Sequence, residues 1–180
     1  LSCGVSGYRS TDISLKNVQI IANEAKGRVF SVIADATHFN GCKGTIVMDG
    51  VTMTGAGDDF TNVHGMYAPV DSVTGDRSVM VTPNARYIGF DEGEIAWVID
   101  TLTMQPKDSI RVVGQETVWH AGKVVGYRVT FDRPHRGAVS AGDLLENADR
   151  TPDVFIRNCR VLKRHRERGI LVTPAGKIVI

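Results

Sequence analysis

Ile13-Ser14-Leu15-Lys16-Asn17-Val18-Gln19-Ile20 alternates apolar and polar residues, stops at an asparagine, and resumes with a short apolar strand start. The same grammar returns in Ile46-Val47-Met48-Asp49-Gly50-Val51-Thr52-Met53 and in Val154-Phe155-Ile156-Arg157-Asn158-Cys159-Arg160-Val161. Asparagine and glycine tolerate a positive φ, so Asn17, Gly50 and Asn158 read as corners between short strands. Corners repeated down a chain without helical periodicity predict a parallel β-helix, in which each coil buries its apolar face against the next. A plain β-sandwich with hairpins between the segments is the alternative.

Between His64 and Thr151 the grammar changes. Ser78-Val79-Met80-Val81, Ile95-Ala96-Trp97-Val98-Ile99, Ser109-Ile110-Arg111-Val112-Val113, Thr117-Val118-Trp119 and the run from Lys123 to Phe131 alternate like antiparallel strands. Turn-rich spacers at 91–94, 105–108 and 121–122 separate them, which predicts a small β-barrel-like insertion. The expected organisation is all-β: β-helix coils over 1–65, the insertion over 66–150, and resumed coils over 151–180.

The remaining composition narrows the function. The 180 residues are 42% hydrophobic, enough for a substantial core, and carry a net charge of +1, which leaves no global field for nucleic acid. No run approaches the roughly 18 apolar residues of a membrane span. The three cysteines, Cys3, Cys42 and Cys159, show neither paired spacing nor a C-x-x-C motif. The chain lacks an initiator Met and stops within a strand-like run at Gly176-Lys177-Ile178-Val179-Ile180, so an internal fragment of a longer protein is expected.

The chemistry concentrates in Ala34-Asp35-Ala36-Thr37-His38-Phe39 and Gly57-Asp58-Asp59-Phe60-Thr61-Asn62-Val63-His64-Gly65. Asp35 and Asp59 are 24 positions apart, as are Thr37 and Thr61, about one coil, so the two segments should stack at roughly 4.8 Å. Asp58-Asp59 alone is common in turns, and a lone His64 or His38 is commonly structural. Two Asp/His clusters in register point instead to a shared site. Crowded carboxylates titrate apart, which supplies an acid and a base at one pH. Aligning Cys159 with Val51 places Glu167 over Asp59 and Arg168 over Phe60, bringing a guanidinium near the acids, either as a substrate contact or as a coil-edge ion pair. The basic run Lys163-Arg164-His165-Arg166 reads as a solvated loop. Asp35, His38, Asp58, Asp59 and His64 could also form a metal set, but no H-E-x-x-H, EF-hand or nonapeptide calcium signature accompanies them, and no G-x-S-x-G elbow supports a serine hydrolase.

At these residues, and at Cys42-Lys43-Gly44, Gly142-Asp143-Leu144-Leu145-Glu146-Asn147, Thr151-Pro152, Ile156-Arg157-Asn158-Cys159, Arg168-Gly169-Ile170-Leu171-Val172 and Gly176-Lys177, the chain resembles glycoside hydrolase family 110, the bacterial α-1,3-galactosidases. Phe60 and the charged 163–167 loop depart from the family pattern. The resemblance implies a right-handed parallel β-helix with a β-barrel insertion, and an exo-acting, inverting enzyme using no metal or organic cofactor. It implies Asp35 as acid and Asp58 or Asp59 as base, with His38, Asn62, His64 and Arg168 holding the hydroxyls of a terminal α-galactose. The expected partner is a glycan, the expected location secreted or periplasmic, and any homo-oligomer would form through the full-length protein. Two other readings stand beside it. A polygalacturonase-like β-helix hydrolase would need further convergent basic residues, and its Asn-Thr-Asp and Arg-Ile-Lys motifs are missing; a non-catalytic carbohydrate-binding β-helix would show aromatic platforms along its groove.

Overall fold

The computed structural model describes residues 2–82, 89–164, 168–173 and 176–180. Among these there is no α-helix, only a 3₁₀ turn at Glu24–Lys26, and the chain is all-β. It divides into two compact units, one of residues 1–65 and 150–180, the other of residues 66–149.

In the first unit the alternating segments form three parallel sheets. The first sheet runs Val5–Tyr8, Thr37–Asn40, Thr61–His64, Ile170–Val172, each strand paired with the next. The second stacks Thr11–Lys16, Lys43–Asp49, Asp153–Arg157 and Ile178–Val179. The third stacks Gln19–Ile20, Thr52–Ala56 and Arg160–Arg164. The chain visits the sheets in one repeating order, so each strand pairs with its counterpart from the next circuit.

The corners lie where the residue types require them. Asn17, Gly50 and Asn158 have φ of 52°, 70° and 53°, the left-handed region that costs other L-residues about 1–2 kcal/mol. Their backbones bond from coil to coil, Asn17 N–H donating to Asp49 O at 2.9 Å and Gly50 N–H to Arg157 O at 3.1 Å. Between the sheets lies a core of Phe39, Ile46, Met48, Val51, Met53, Phe60, Val63, Val154 and Ile156, all buried. Cys159 is half-buried and packs against it. Phe60 is 1% exposed and belongs to this core.

The second unit is antiparallel. Six strands, Tyr67–Gly75, Ser78–Val81, Ile95–Ile99, Pro106–His120, Lys123–Phe131 and Leu144–Asn147, pair in a closed cycle around Val79, Val81, Ala96, Val98, Ile110, Val112, Val129, Phe131 and Leu145. Two segments expected as separate strands, Ser109–Val113 and Thr117–Trp119, are one continuous strand. Gly114 sits at a register shift opposite Thr130, and pairing with Lys123–Phe131 continues on both sides of it. The strand also begins at Pro106, inside the expected 105–108 spacer.

Candidate active site

Pairing of Thr37–Asn40 with Thr61–His64 sets Thr37 beside Thr61, His38 beside Asn62 and Asn40 beside His64. Alternation along a strand sends neighbours to opposite faces. Thr37, Phe39, Thr61 and Val63 accordingly point into the core, while His38, Asn62 and His64 are half-buried on the other face. Just before these strands the stacked backbones continue, with Gly57 N–H donating to Val32 O, Ala36 N–H to Asp59 O and Thr37 N–H to Phe60 O at 2.9–3.0 Å.

The stacking gathers the carboxylates. Asp35, Asp58 and Asp59 each bring an oxygen within 4.8 Å of the other two. Asp35 is 5% exposed and Asp59 fully buried, whereas Asp58 is half-buried. Neighbours on a regular strand could not both join such a cluster, but the chain leaves the Thr52–Ala56 strand and bends at residues 57, 58 and 60, which frees Asp58 and Asp59 to face the same way. Asp35 Oδ1 accepts a hydrogen bond from Asp59 N–H at 3.2 Å, and Asp35 Oδ2 lies 2.5 Å from His38 Nδ1.

Arg168 reaches Asp59 with Nε at 3.5 Å and Nη2 at 3.4 Å, a loose fork from a side chain still 58% exposed. Sequence alignment had set Arg168 over Phe60. The expected register holds where Arg160 meets Thr52, but bulges in the Arg160–Arg164 strand precede a pairing of Ile170 with Thr61, one residue further along. Arg168 therefore falls over Asp59. Glu167, placed there by the simpler alignment, and His165-Arg166 of the basic run lie outside the described residues.

The imidazoles are tied into the cluster. His64 Nε2 is 3.1 Å from His38 Nε2, and the rings meet edge to face with centroids 5.0 Å apart. His64 Nδ1 lies 2.7 Å from Gly65 O. The oxygens of Asp35 and the ring nitrogens of His38 are thus already hydrogen-bonded within the protein. Cys3 Sγ, Asp35 and His38 also bring ligand-type atoms within 4.8 Å of one another, so two triplets here could approach a cation.

Two residues at the site escaped sequence reading. Tyr8, 60% exposed, holds its ring 6.1 Å from that of His38, and Cys3 lies beside Asp35. Val5 pairs with Thr37, an offset of 32 positions rather than the 24 between Thr37 and Thr61. The longer coil accommodates the 3₁₀ turn at Glu24–Lys26. A search at constant spacing passes over both residues.

No protein-family model matches the chain. Curated relatives do. It is 34% identical to α-1,3-galactosidase A of Shewanella woodyi over 98% of its own length and 29% of that protein. It is 32% identical to α-1,3-galactosidase B of Akkermansia muciniphila, over 96% of its length and 22% of the relative, and 30% identical to α-1,3-galactosidase A of Bacteroides fragilis, over 98% and 29%. The chain therefore spans less than a third of the length of these relatives. Along nearly all of its own length, it is a homologue of the α-1,3-galactosidases, the enzymes of glycoside hydrolase family 110.

Proposed function

We propose that this chain carries the catalytic carboxylates of a glycoside hydrolase that removes terminal α-1,3-linked galactose from glycans. The observation that carries the reading is the convergence of Asp35, Asp58 and Asp59 within 4.8 Å, in a segment homologous to α-1,3-galactosidases. In this reading the three parallel sheets are coils of a right-handed parallel β-helix and the closed cycle of six strands is a barrel inserted into it. The full-length enzyme is exo-acting and secreted or periplasmic.

Hydrolysis needs one carboxyl to protonate the departing oxygen and another to take a proton from water. Asp35 is assigned the first role. Asp58, the more accessible of the other two, takes the second with Asp59, which Arg168 keeps beside a positive charge. A water bonded to two oxygens at about 2.8 Å spans about 4.6 Å between them, so a pair this close can hold the attacking water. We assign an inverting course. Acid and base stand about 6.5–9.5 Å apart in most inverting enzymes and about 5–5.5 Å apart in retaining ones, so with oxygens of Asp35, Asp58 and Asp59 within 4.8 Å of one another the inverting course rests on the family resemblance, and the first-formed anomer decides it. Asn62, His38, His64 and Arg168 wall the sugar subsite, and Tyr8 offers its exposed ring to an apolar face of galactose.

Proton NMR of the full-length enzyme acting on an α-1,3-linked galactosyl disaccharide tests this. Free galactose should appear first as the β anomer. First appearance of the α anomer would sink the inverting assignment, and no release of galactose would sink the function.

A further inference from the structure

We propose that His38 and His64 form a proton relay that serves Asp35, acting as positioning residues for the acid; this rests on Asp35 donating the proton in the reaction proposed above. Three contacts run in series: Asp35 Oδ2 to His38 Nδ1 at 2.5 Å, His38 Nε2 to His64 Nε2 at 3.1 Å, and His64 Nδ1 to Gly65 O at 2.7 Å. The carbonyl of Gly65 can only accept, so His64 Nδ1 carries a hydrogen. Two imidazole nitrogens cannot meet at 3.1 Å lone pair to lone pair, so a second hydrogen lies between the rings. The contact between carboxyl and imidazole needs a third.

Three protons are therefore distributed over Asp35, His38 and His64. A carboxylate with two neutral imidazoles would hold two. The third proton makes the trio electrically neutral, either as a carboxylic acid with two neutral rings or as a carboxylate with one imidazolium. These forms interconvert by moving protons along existing hydrogen bonds, so the trio gains and loses its proton as one unit.

The chemistry follows from that count. As the glycosidic C–O bond breaks, its electron pair goes to the departing oxygen, which takes the proton from Asp35. Water bonds to the anomeric carbon and passes a proton to Asp58 or Asp59. The trio is left with two protons and one negative charge, and it refills through His64, the half-buried ring at the far end from Asp35. Among the described residues, the titratable or charged groups seen near it include Cys3, Tyr8, Asp58, Asp59 and Arg168.

The test uses the full-length enzyme and two substrates: an α-1,3-galactosyl disaccharide, whose leaving alcohol needs a proton, and a dinitrophenyl α-galactoside, whose leaving group needs none. Asp35→Asn should lose about 10²–10⁴-fold in kcat on the disaccharide and little on the aryl galactoside. His64→Phe should repeat that split at a smaller size, about tenfold at pH 7, with the alkaline limb of its pH–rate profile moved to lower pH and the loss falling on kcat more than on KM. His64→Gln, which can hydrogen-bond but cannot relay a proton, should behave alike if the phenylalanine variant folds poorly. A raised KM with an unmoved limb would make His64 a hydroxyl clamp, and equal losses on both substrates would make it structural; either overturns the relay while leaving the hydrolase in place. Equal losses for Asp35→Asn on both substrates would instead remove Asp35 as the acid, and the relay with it.

Discussion

Gly57 stands immediately before Asp58, and its lack of a side chain is what lets the segments bearing Asp35 and Asp58-Asp59 stack. Its N–H donates to Val32 O at 3.0 Å, and a Cβ built on it would lie 2.4 Å from Ile33 O and 2.8 Å from Ile33 C. Ordinary contact begins near 3.4 Å, and the obstructing atoms are backbone that no rotamer change can move. Gly57→Ala must therefore open the stack by about 1 Å, at a cost of about 1–3 kcal/mol for overpacking. The same displacement is carried into Asp58 and Asp59. A misplacement of about 1 Å at a reacting group typically lowers the rate about 10²-fold. In the full-length enzyme, kcat on an α-1,3-galactosyl disaccharide should fall by that order while the protein still melts cooperatively at a reduced Tm. Gly114→Ala is the control, since a Cβ there meets nothing within 4 Å. Wild-type kcat and Tm in Gly57→Ala would refute the argument that backbone stacking at this glycine places the acids.

Other consequences concern stability. Gly50→Val forces a β-branched residue to φ 70°, and its Cβ would meet Asn17 Oδ1 at 2.5 Å; the urea midpoint should drop by the equivalent of about 2 kcal/mol or more with the m-value unchanged. Burial raises the pKa of Glu146 above 4.5, so its folded form holds a proton that the unfolded chain releases sooner. Its contribution is full below pH 4.5 and is lost as pH rises through the raised value. Glu146→Gln should therefore raise Tm at pH 7 relative to wild type, with the gain disappearing below pH 4.5; a gain that persists in acid would contradict the burial explanation.

Much of this arrangement was legible because it rests on local requirements. Asn17, Gly50 and Asn158 could be read as corners since few residues accept a positive φ, and the 24-residue offset put Thr37 on Thr61. What was hidden depends on irregularities that composition does not encode. The 32-residue offset of the Val5–Tyr8 strand concealed Tyr8 and Cys3, and the bulges within Arg160–Arg164 moved Arg168 from Phe60 to Asp59. Ser109–Val113 and Thr117–Trp119 read as separate strands, whereas here the neighbouring strand carries the pairing past Gly114. The contact between His38 and His64 is diagonal, since their direct partners are Asn62 and Asn40, so strand register alone does not announce it.

The central claim is that Asp35, Asp58 and Asp59 perform the hydrolysis together. Its most direct test is kcat of the full-length enzyme and its three single Asp→Asn variants on an α-1,3-galactosyl disaccharide, with Tm measured in parallel. The prediction is that Asp35→Asn and at least one of Asp58→Asn and Asp59→Asn lose about 10²-fold or more with a folded protein remaining. Near wild-type turnover in Asp35→Asn, or in both of the others, would contradict it.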